Sequence, residues 1–310
     1  MLKYICKRLL LMIPTLLGII FIVFTVMEMT PGSPGRTILG TAATQEQVDQ
    51  LNHELGYDQP FLVRFFDYCG DLLHGDMGTS YRTRTGFTTE LAGRMPTTLK
   101  LGLAAFVLSS ILGVSLGILS AVKQYSFADT FCSTTAILFA SIPGFFLGMV
   151  LIYVFGLQLG WFPTFGGSDG IRSYVLPVIT LTLSNTVIVQ RLTRTTMLEA
   201  VRQDYIRTAR AKGCSQRRIT WKHALKNAIL PVITVMGINA GSVMGGAVIC
   251  ETVFSLPGMG TYILTAIRSK DIPVVLSSTV VLSLIFCVIM LLVDVLYAVI
   301  DPRIRERVTR

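Results

Sequence analysis

The sequence predicts an all-α membrane protein with six transmembrane helices, a small external domain between helices 1 and 2, and a basic cytoplasmic loop between helices 4 and 5. The first observation is composition: the 310 residues are 52% hydrophobic and 15% charged, with a mean hydropathy of +0.62. A soluble chain of this length carries more charge, so most of this one has lipid as its solvent. The second is a set of six apolar runs, at 9–27, 101–122, 133–157, 174–190, 229–250 and 274–293, each close to the ~20 residues that cross hydrocarbon. The third is the distribution of charge. Residues 191–226 hold ten Lys/Arg against two acids, a net of +8, nearly all of the chain's formal +9. A loop of that charge belongs on the cytoplasmic side, which makes the basic pI a matter of topology rather than of a nucleic-acid partner.

The elements follow in order. Lys3, Lys7 and Arg8 precede the first run; the run is too long for a signal peptide, and MEMTP at 27–31 offers no small-residue cleavage site, so a retained helix is expected. Residues 1–30 are then the N-terminus and first helix. Residues 31–95 carry eight acids and five arginines, and this net of −3 suits the outer face. Within them Thr44 and Gln47 form a capping box for a helix bearing Val48, Leu51 and Leu55 and closed by Gly56. Residues 96–300 form a five-helix core, and 301–310 a basic tail with Arg303, Arg305, Arg307 and Arg310. An even number of crossings puts both termini and the basic loop in the cytoplasm. The six cysteines show no metal spacing, and small apolar filler is the expected role of each.

The basic loop reads as helix, break, helix. Leu198, Val201, Tyr205 and Ala209 recur at helical spacing, Gly213 stands where a C-terminal cap is wanted, and Ser215 caps a second helix. Two short helices bent at a glycine make a knob. A basic segment held only by anionic lipid needs charge but no particular order, and this loop is ordered.

The string DYIRTARAKG at 204–213 resembles the cytoplasmic EAA loop of ABC importer permeases, in the form seen in the dipeptide, oligopeptide, glutathione and nickel family of binding-protein-dependent transport inner-membrane components. Arg207, Thr208 and Ala209 fall on the three positions that name the loop, and Gly213 on its glycine. The Leu-Pro pair expected about thirteen residues later arrives late, in HALKNAILP at 223–231, as is usual in the peptide and nickel branch. LGYDQP at 55–60, GDMGTS at 75–80 and FSLPGMG at 254–260 resemble the same family, with Leu256 replacing a tryptophan and Ser33 an aspartate; VDVLY at 293–297, containing Asp294, fits it too. The resemblance extends over nearly the whole chain. It implies that the loop is a coupling helix seated in an ATP-binding subunit, through Tyr205, Arg207, Thr208, Ala209, Arg210, Lys212 and Gly213. It also implies a multi-pass permease of a prokaryotic inner membrane, with a second homologous permease as heterodimer partner, two ATP-binding subunits that hold ATP and Mg, and an extracytoplasmic substrate-binding protein.

Ser184 and Asn185 in the fourth run and Asn239 and Ser242 in the fifth are polar at membrane depth, where they must face protein or water. They are candidates for the pathway wall, or for interhelical hydrogen bonds. Gly237, Gly241 and Gly245, with Gly113 and Gly117 in the second run, are small residues at four-residue intervals, fit for static packing or for a sliding interface. No phosphate loop, HExxH or metal cluster is present, so no catalytic residue, metal or cofactor is assigned to this chain and its energy must come from elsewhere. The expected cargo is di- or oligopeptides, with chelated nickel or glutathione as the alternative. An autonomous carrier would want ionisable residues within the spans, and a membrane scaffold would need no pathway.

Overall fold

The computed structural model describes residues 2–166 and 169–300; the basic tail and the side chain of Asp294 lie outside the described residues. The apolar run at the start forms α1 (Leu2–Met29). After it the backbone turns at Gly32, and Ser33 accepts a hydrogen bond from the Arg36 amide at 3.3 Å to cap α2 (Pro34–Leu39). The capping task is met by a serine hydroxyl as it would be by an aspartate. The box expected at Thr44 is present: its Oγ1 accepts from the Gln47 amide and the Gln47 side chain accepts from the Thr44 amide, opening α3 (Gln45–Glu54) with Val48 buried. Gly56, at φ +66°, turns the chain, a conformation glycine adopts without cost. An amphipathic α4 (Phe61–Leu73) then lies back against α1, with Phe61 and Phe65 edge-to-face on Phe24.

This cap segment is tied to the bundle rather than standing apart from it. A cluster of Ile20, Phe24, Phe65, Phe87, Met259 and Leu276 joins α1 and α4 to the helices of the core. The neighbours Lys270 and Asp271 extend the tie in two directions. The Lys270 ammonium donates to the carbonyls of Thr30 and Gly32 just beyond α1, and the Asp271 carboxylate accepts from Ser80 Oγ at 2.5 Å and the Tyr81 amide at 3.0 Å. Burial pushes the Tyr68 and Tyr81 hydroxyls up to about 12, which leaves them neutral.

The core begins with α5 (Phe87–Val122), so the expected domain boundary at 95/96 falls inside a helix. It is followed by α6 (Phe127–Ser141) and α7 (Gly144–Leu151), the latter continued by a π-helical turn Ile152–Gln158. The third span, expected as one helix over 133–157, is instead two helices, Phe127–Ser141 and Gly144–Gln158, meeting at 101°. Its cause is Pro143, whose ring drives Ile142 out of the helical region to φ −92°, ψ 121° and removes an amide from the ladder. The uninterrupted apolar composition masked that break. Next come α8 (Arg172–Val201), α9 (Asp204–Ala211) and a 38-residue membrane-length helix, Gln216–Val253, built of α10 (Gln216–Arg218), a π-helical stretch Ile219–Ala224 and α11 (Leu225–Val253). A short α12 (Met259–Arg268) and the long α13 (Ile272–Ile300) complete the fold. Five helices are long and apolar enough to cross a membrane, six if the bent pair counts as one span. Among the described residues there is no strand, only one isolated bridge between Thr79 and Gly86.

The glycine pair of α5 lets α8 approach closely. A Cβ on Gly113 would lie 2.6 Å from Val189 Cβ, and one on Gly117 would lie 2.5 Å from Thr193 Cβ and 2.8 Å from the Gln190 carbonyl oxygen. On α11, Gly237 and Gly241 receive Val293 and Phe286 of α13 in the same way, whereas a Cβ on Gly245 would meet nothing within 4 Å among the described residues. The three glycines of α11 therefore do not share one packed face.

Candidate functional site

Two places collect the polar residues singled out in the sequence, one at an end of the bundle and one within it. At the end, α9 is held between two breaks. The first falls at Arg202 and Gln203, so Leu198 and Val201 belong to α8 and do not continue into one stripe with Tyr205 and Ala209. The second is at Gly213, φ +76°, where the Gly213 amide donates to the Arg210 carbonyl at 2.9 Å and the Cys214 amide to the Ala209 carbonyl at 3.1 Å. That pair of bonds is a Schellman cap, which needs the left-handed conformation at the glycine. Ser215 Oγ accepts from the Arg218 amide at 3.4 Å, as expected of a cap. What it caps is the start of the 38-residue helix, so the knob is one short helix docked beside a long one rather than a pair of short helices.

Helix α9 is seated by Ile206 and Ala209, which join Ile118 of α5, Met197 of α8 and Ile219 of the following π-helical stretch in one cluster. Ala209 thus faces its own chain, a correction to its expected place on a partner's surface. Ile206, 0% exposed, is the anchor; the sequence reading chose Tyr205 four residues before Ala209, while burial chose Ile206 three residues before it. Both spacings lie on a helical face. Tyr205, Arg207, Thr208, Arg210 and Lys212 are left exposed, a basic surface with one weak ion pair, Arg207 to Asp204 at 3.5 Å.

Behind the knob lies a polar clamp that sequence reasoning missed. Asp129, at the start of α6, takes a bidentate pair of hydrogen bonds from Arg194 of α8, at 2.8 and 2.9 Å, together with the hydroxyl of Ser120 of α5 and the Tyr125 amide. The geometry joins three helices through one buried carboxylate. The only signal in the sequence was a lone acid in the short connection between the second and third apolar runs.

Within the bundle, Ser184, Asn185 and Ser242 line a cleft of about 260 Å³ between α7, α8 and α11. Asn185 Nδ2 donates to the Leu181 carbonyl at 2.8 Å, Ser184 Oγ to the Thr180 carbonyl at 3.1 Å, and Asn239 Nδ2 reaches across helices to the Asn185 carbonyl at 3.4 Å. Asn239 is 3% exposed, and its Oδ1 has no hydrogen-bond partner among the described residues. The structure brings these four residues together, three on the cleft and Asn239 behind it. Alongside, Ile238, Ser242, Gly245 and Ile249 form an exposed stripe on α11. Four-, three- and four-residue steps make it a single face. Among the described residues no His, Cys, Asp and Glu group could hold a metal.

Comparison with known proteins agrees with this architecture. Residues 113–306 match the family described as binding-protein-dependent transport system inner membrane component, and residues 1–102 match its N-terminal counterpart. The chain is 39% identical over 332 residues to the dipeptide transport system permease protein DppB of Alkalihalophilus pseudofirmus, covering 98% of this chain and 100% of the relative. It is 40% identical over 307 residues to the glutathione transport system permease protein GsiC of Escherichia coli, covering 99% and 100%. Among solved structures, an inward-facing MetNI methionine ABC transporter chain superposes with a TM-score of 0.59 at 18% identity, covering 68% of this chain and 96% of that one. A chain of an amino acid ABC transporter with histidines gives 0.52 at 15% identity, covering 70% and 95%. At such identities these two show a shared fold.

Proposed function

The chain belongs to the family of inner membrane components of binding-protein-dependent transport systems, and from that membership we propose that it forms half of the pathway by which an ABC importer takes up peptides. The family is one of multi-pass permeases that work with an ATPase and a substrate-binding protein. The dipeptide and glutathione permeases that it resembles over nearly their full lengths support a short peptide as cargo. Glutathione is itself a short peptide, and its permeases match this chain as well as the dipeptide permease does.

In this reading the exposed stripe of α11 faces a second, homologous permease, and the cleft with Ser184, Asn185 and Ser242 opens onto the pathway between them. Two ATP-binding subunits hold and hydrolyse the ATP, with its Mg, on the cytoplasmic side. They grip the basic surface of α9, and the chain itself turns nothing over. The observation that carries the coupling role is the division of α9 into two faces: Ile206 and Ala209 bury it against α5, α8 and the long helix, while Tyr205, Arg207, Thr208, Arg210 and Lys212 remain open. A short helix so seated passes a push from outside to three membrane helices at once, as rigid-body switching requires.

Both termini and α9 are then cytoplasmic, and the segment α2 to α4 external. A photocrosslinking residue in place of Thr208 is expected to capture an ATP-binding subunit, while Gln50→Cys in intact cells reacts with an impermeant thiol reagent. Capture of lipid alone at position 208, or a Gln50→Cys that reacts only after the cells are opened, contradicts this arrangement.

A further inference from the structure

At the end of the bundle opposite α9, a cavity of about 450 Å³ opens between α12 and the turn around Ser80. It is separate from both places described above, and its size falls in the roughly 300–1,000 Å³ range of small-molecule sites. Leu256, Pro257 and Leu264 make part of its lining apolar, and Arg82, Arg94 and Arg268 bring three guanidinium groups to it.

The charges do not cancel. Arg94 is already engaged: its Nε donates to Glu90 at 2.7 Å and its guanidinium lies 4.5 Å from the centre of the Tyr262 ring. The one acid in the lining, Asp271, is buried and turned away into hydrogen bonds from Ser80 and from the Tyr81 and Arg82 amides. Glu251 lies nearby but is fully buried, and accepts from Thr98 Oγ1 and the Gly260 and Thr261 amides. Arg82 and Arg268 are exposed and have no carboxylate partner among the described residues. Two open guanidiniums beside an apolar wall are suited to a carboxylate carried on a partly apolar molecule, because the planar fork matches a carboxylate in bidentate fashion.

We infer that this cavity is a carboxylate-binding subsite at the mouth of the pathway. The inference rests on the import reading for its biological sense, and it deepens that reading by selecting for peptides with a free carboxylate. Two molecules can supply the group: the cargo, through its C-terminal carboxylate, or the protein that delivers it, through an acidic side chain.

The test uses the assembled complex carrying Thr265→Cys, on the rim of the cavity, with modification read at that residue by peptide mass spectrometry so that the native cysteines stay in place. Rates for a negatively and a positively charged methanethiosulfonate are normalised to their rates with a free thiol. The anionic reagent is expected to be favoured about tenfold, a preference of the size that a local positive potential produces in a cleft, and Arg82→Gln with Arg268→Gln should return the ratio to near one. Millimolar dialanine should slow the reaction and dialanine amide should not, if the cargo supplies the carboxylate. Protection by the binding protein alone, lost when Arg82 and Arg268 are replaced, assigns the group to the delivering protein instead. Equal normalised rates, a preference that survives the double substitution, no access to residue 265, or protection indifferent to the carboxylate overturns the inference. Dipeptide import by the unsubstituted complex is measured alongside: its failure refutes the peptide reading, while the rate ratio still reports on the cavity.

Discussion

Ile206→Asp is expected to abolish import while leaving the chain inserted in the membrane. Ile206 is fully buried between α9 and the ends of α5, α8 and the long helix, and an unpaired carboxylate there costs several kcal/mol, about 3–5 where a buried charge has no partner. An eight-residue helix has little stability of its own with which to absorb that cost, since isolated helices shorter than ~12 residues are marginal. Helix α9 therefore leaves its seat. The lever is lost at its root, although every exposed residue of the knob is unchanged. Uptake should fall at least tenfold, with the ATP-binding subunits either failing to co-purify or hydrolysing ATP without import. Ile206→Val removes one methylene, costs about 0.5–1.5 kcal/mol, and should import within about twofold of the parent. Normal import by Ile206→Asp contradicts the seating of α9 as the source of coupling.

Gly117→Val is the second large effect, and it acts on the bundle itself. The added Cβ would stand 2.8 Å from the Gln190 carbonyl oxygen as well as 2.5 Å from Thr193 Cβ. A backbone atom cannot rotate aside, so α5 and α8 must separate along their whole contact. Overpacking of this kind costs about 1–3 kcal/mol, and more where backbone must move. A lower melting temperature of the purified complex, with reduced yield, is expected. Gly245→Val makes the informative contrast, because among the described residues outside its own turn of helix nothing comes within 4 Å of a Cβ placed there. That variant should fold normally and lose association with the second permease. If both variants melt alike and both assemble, the glycines are not distinguished by packing as described.

Much of the architecture was legible because lipid imposes simple rules. Long apolar runs had to be helices, and five of the six stand as continuous ones. The capping box at Thr44 and the left-handed glycine at 213 were legible for a similar reason, since each depends only on residues a few positions apart. What the sequence hid was direction. Spacing places Tyr205 and Ile206 equally well on a face with Ala209, and only the position of α5, more than eighty residues earlier, decides that Ile206 is the anchor. Pro143 was visible but outweighed by the apolar run around it, although its effect on the preceding residue is local and strong. The pairing of Asp129 with Arg194 joins positions 65 residues apart, beyond the reach of any local pattern. The four polar candidates of the pathway fared between these extremes: depth in the membrane marked them, but only the tertiary structure brings Ser184, Asn185 and Ser242 to one cleft and puts Asn239 behind it.

The central claim is that this chain is one of two membrane subunits of a machine whose energy enters through a partner. Reconstitution in vesicles tests it most directly, with peptide uptake and ATP hydrolysis measured together, for the chain alone and for the chain with the second permease, the ATP-binding subunits and the peptide-loaded binding protein. The chain alone is expected to hydrolyse no ATP and to accumulate no peptide, and the full assembly to do both, with hydrolysis rising when loaded binding protein is added. Peptide accumulation by the chain alone, driven by an ion gradient and indifferent to ATP, would contradict the account.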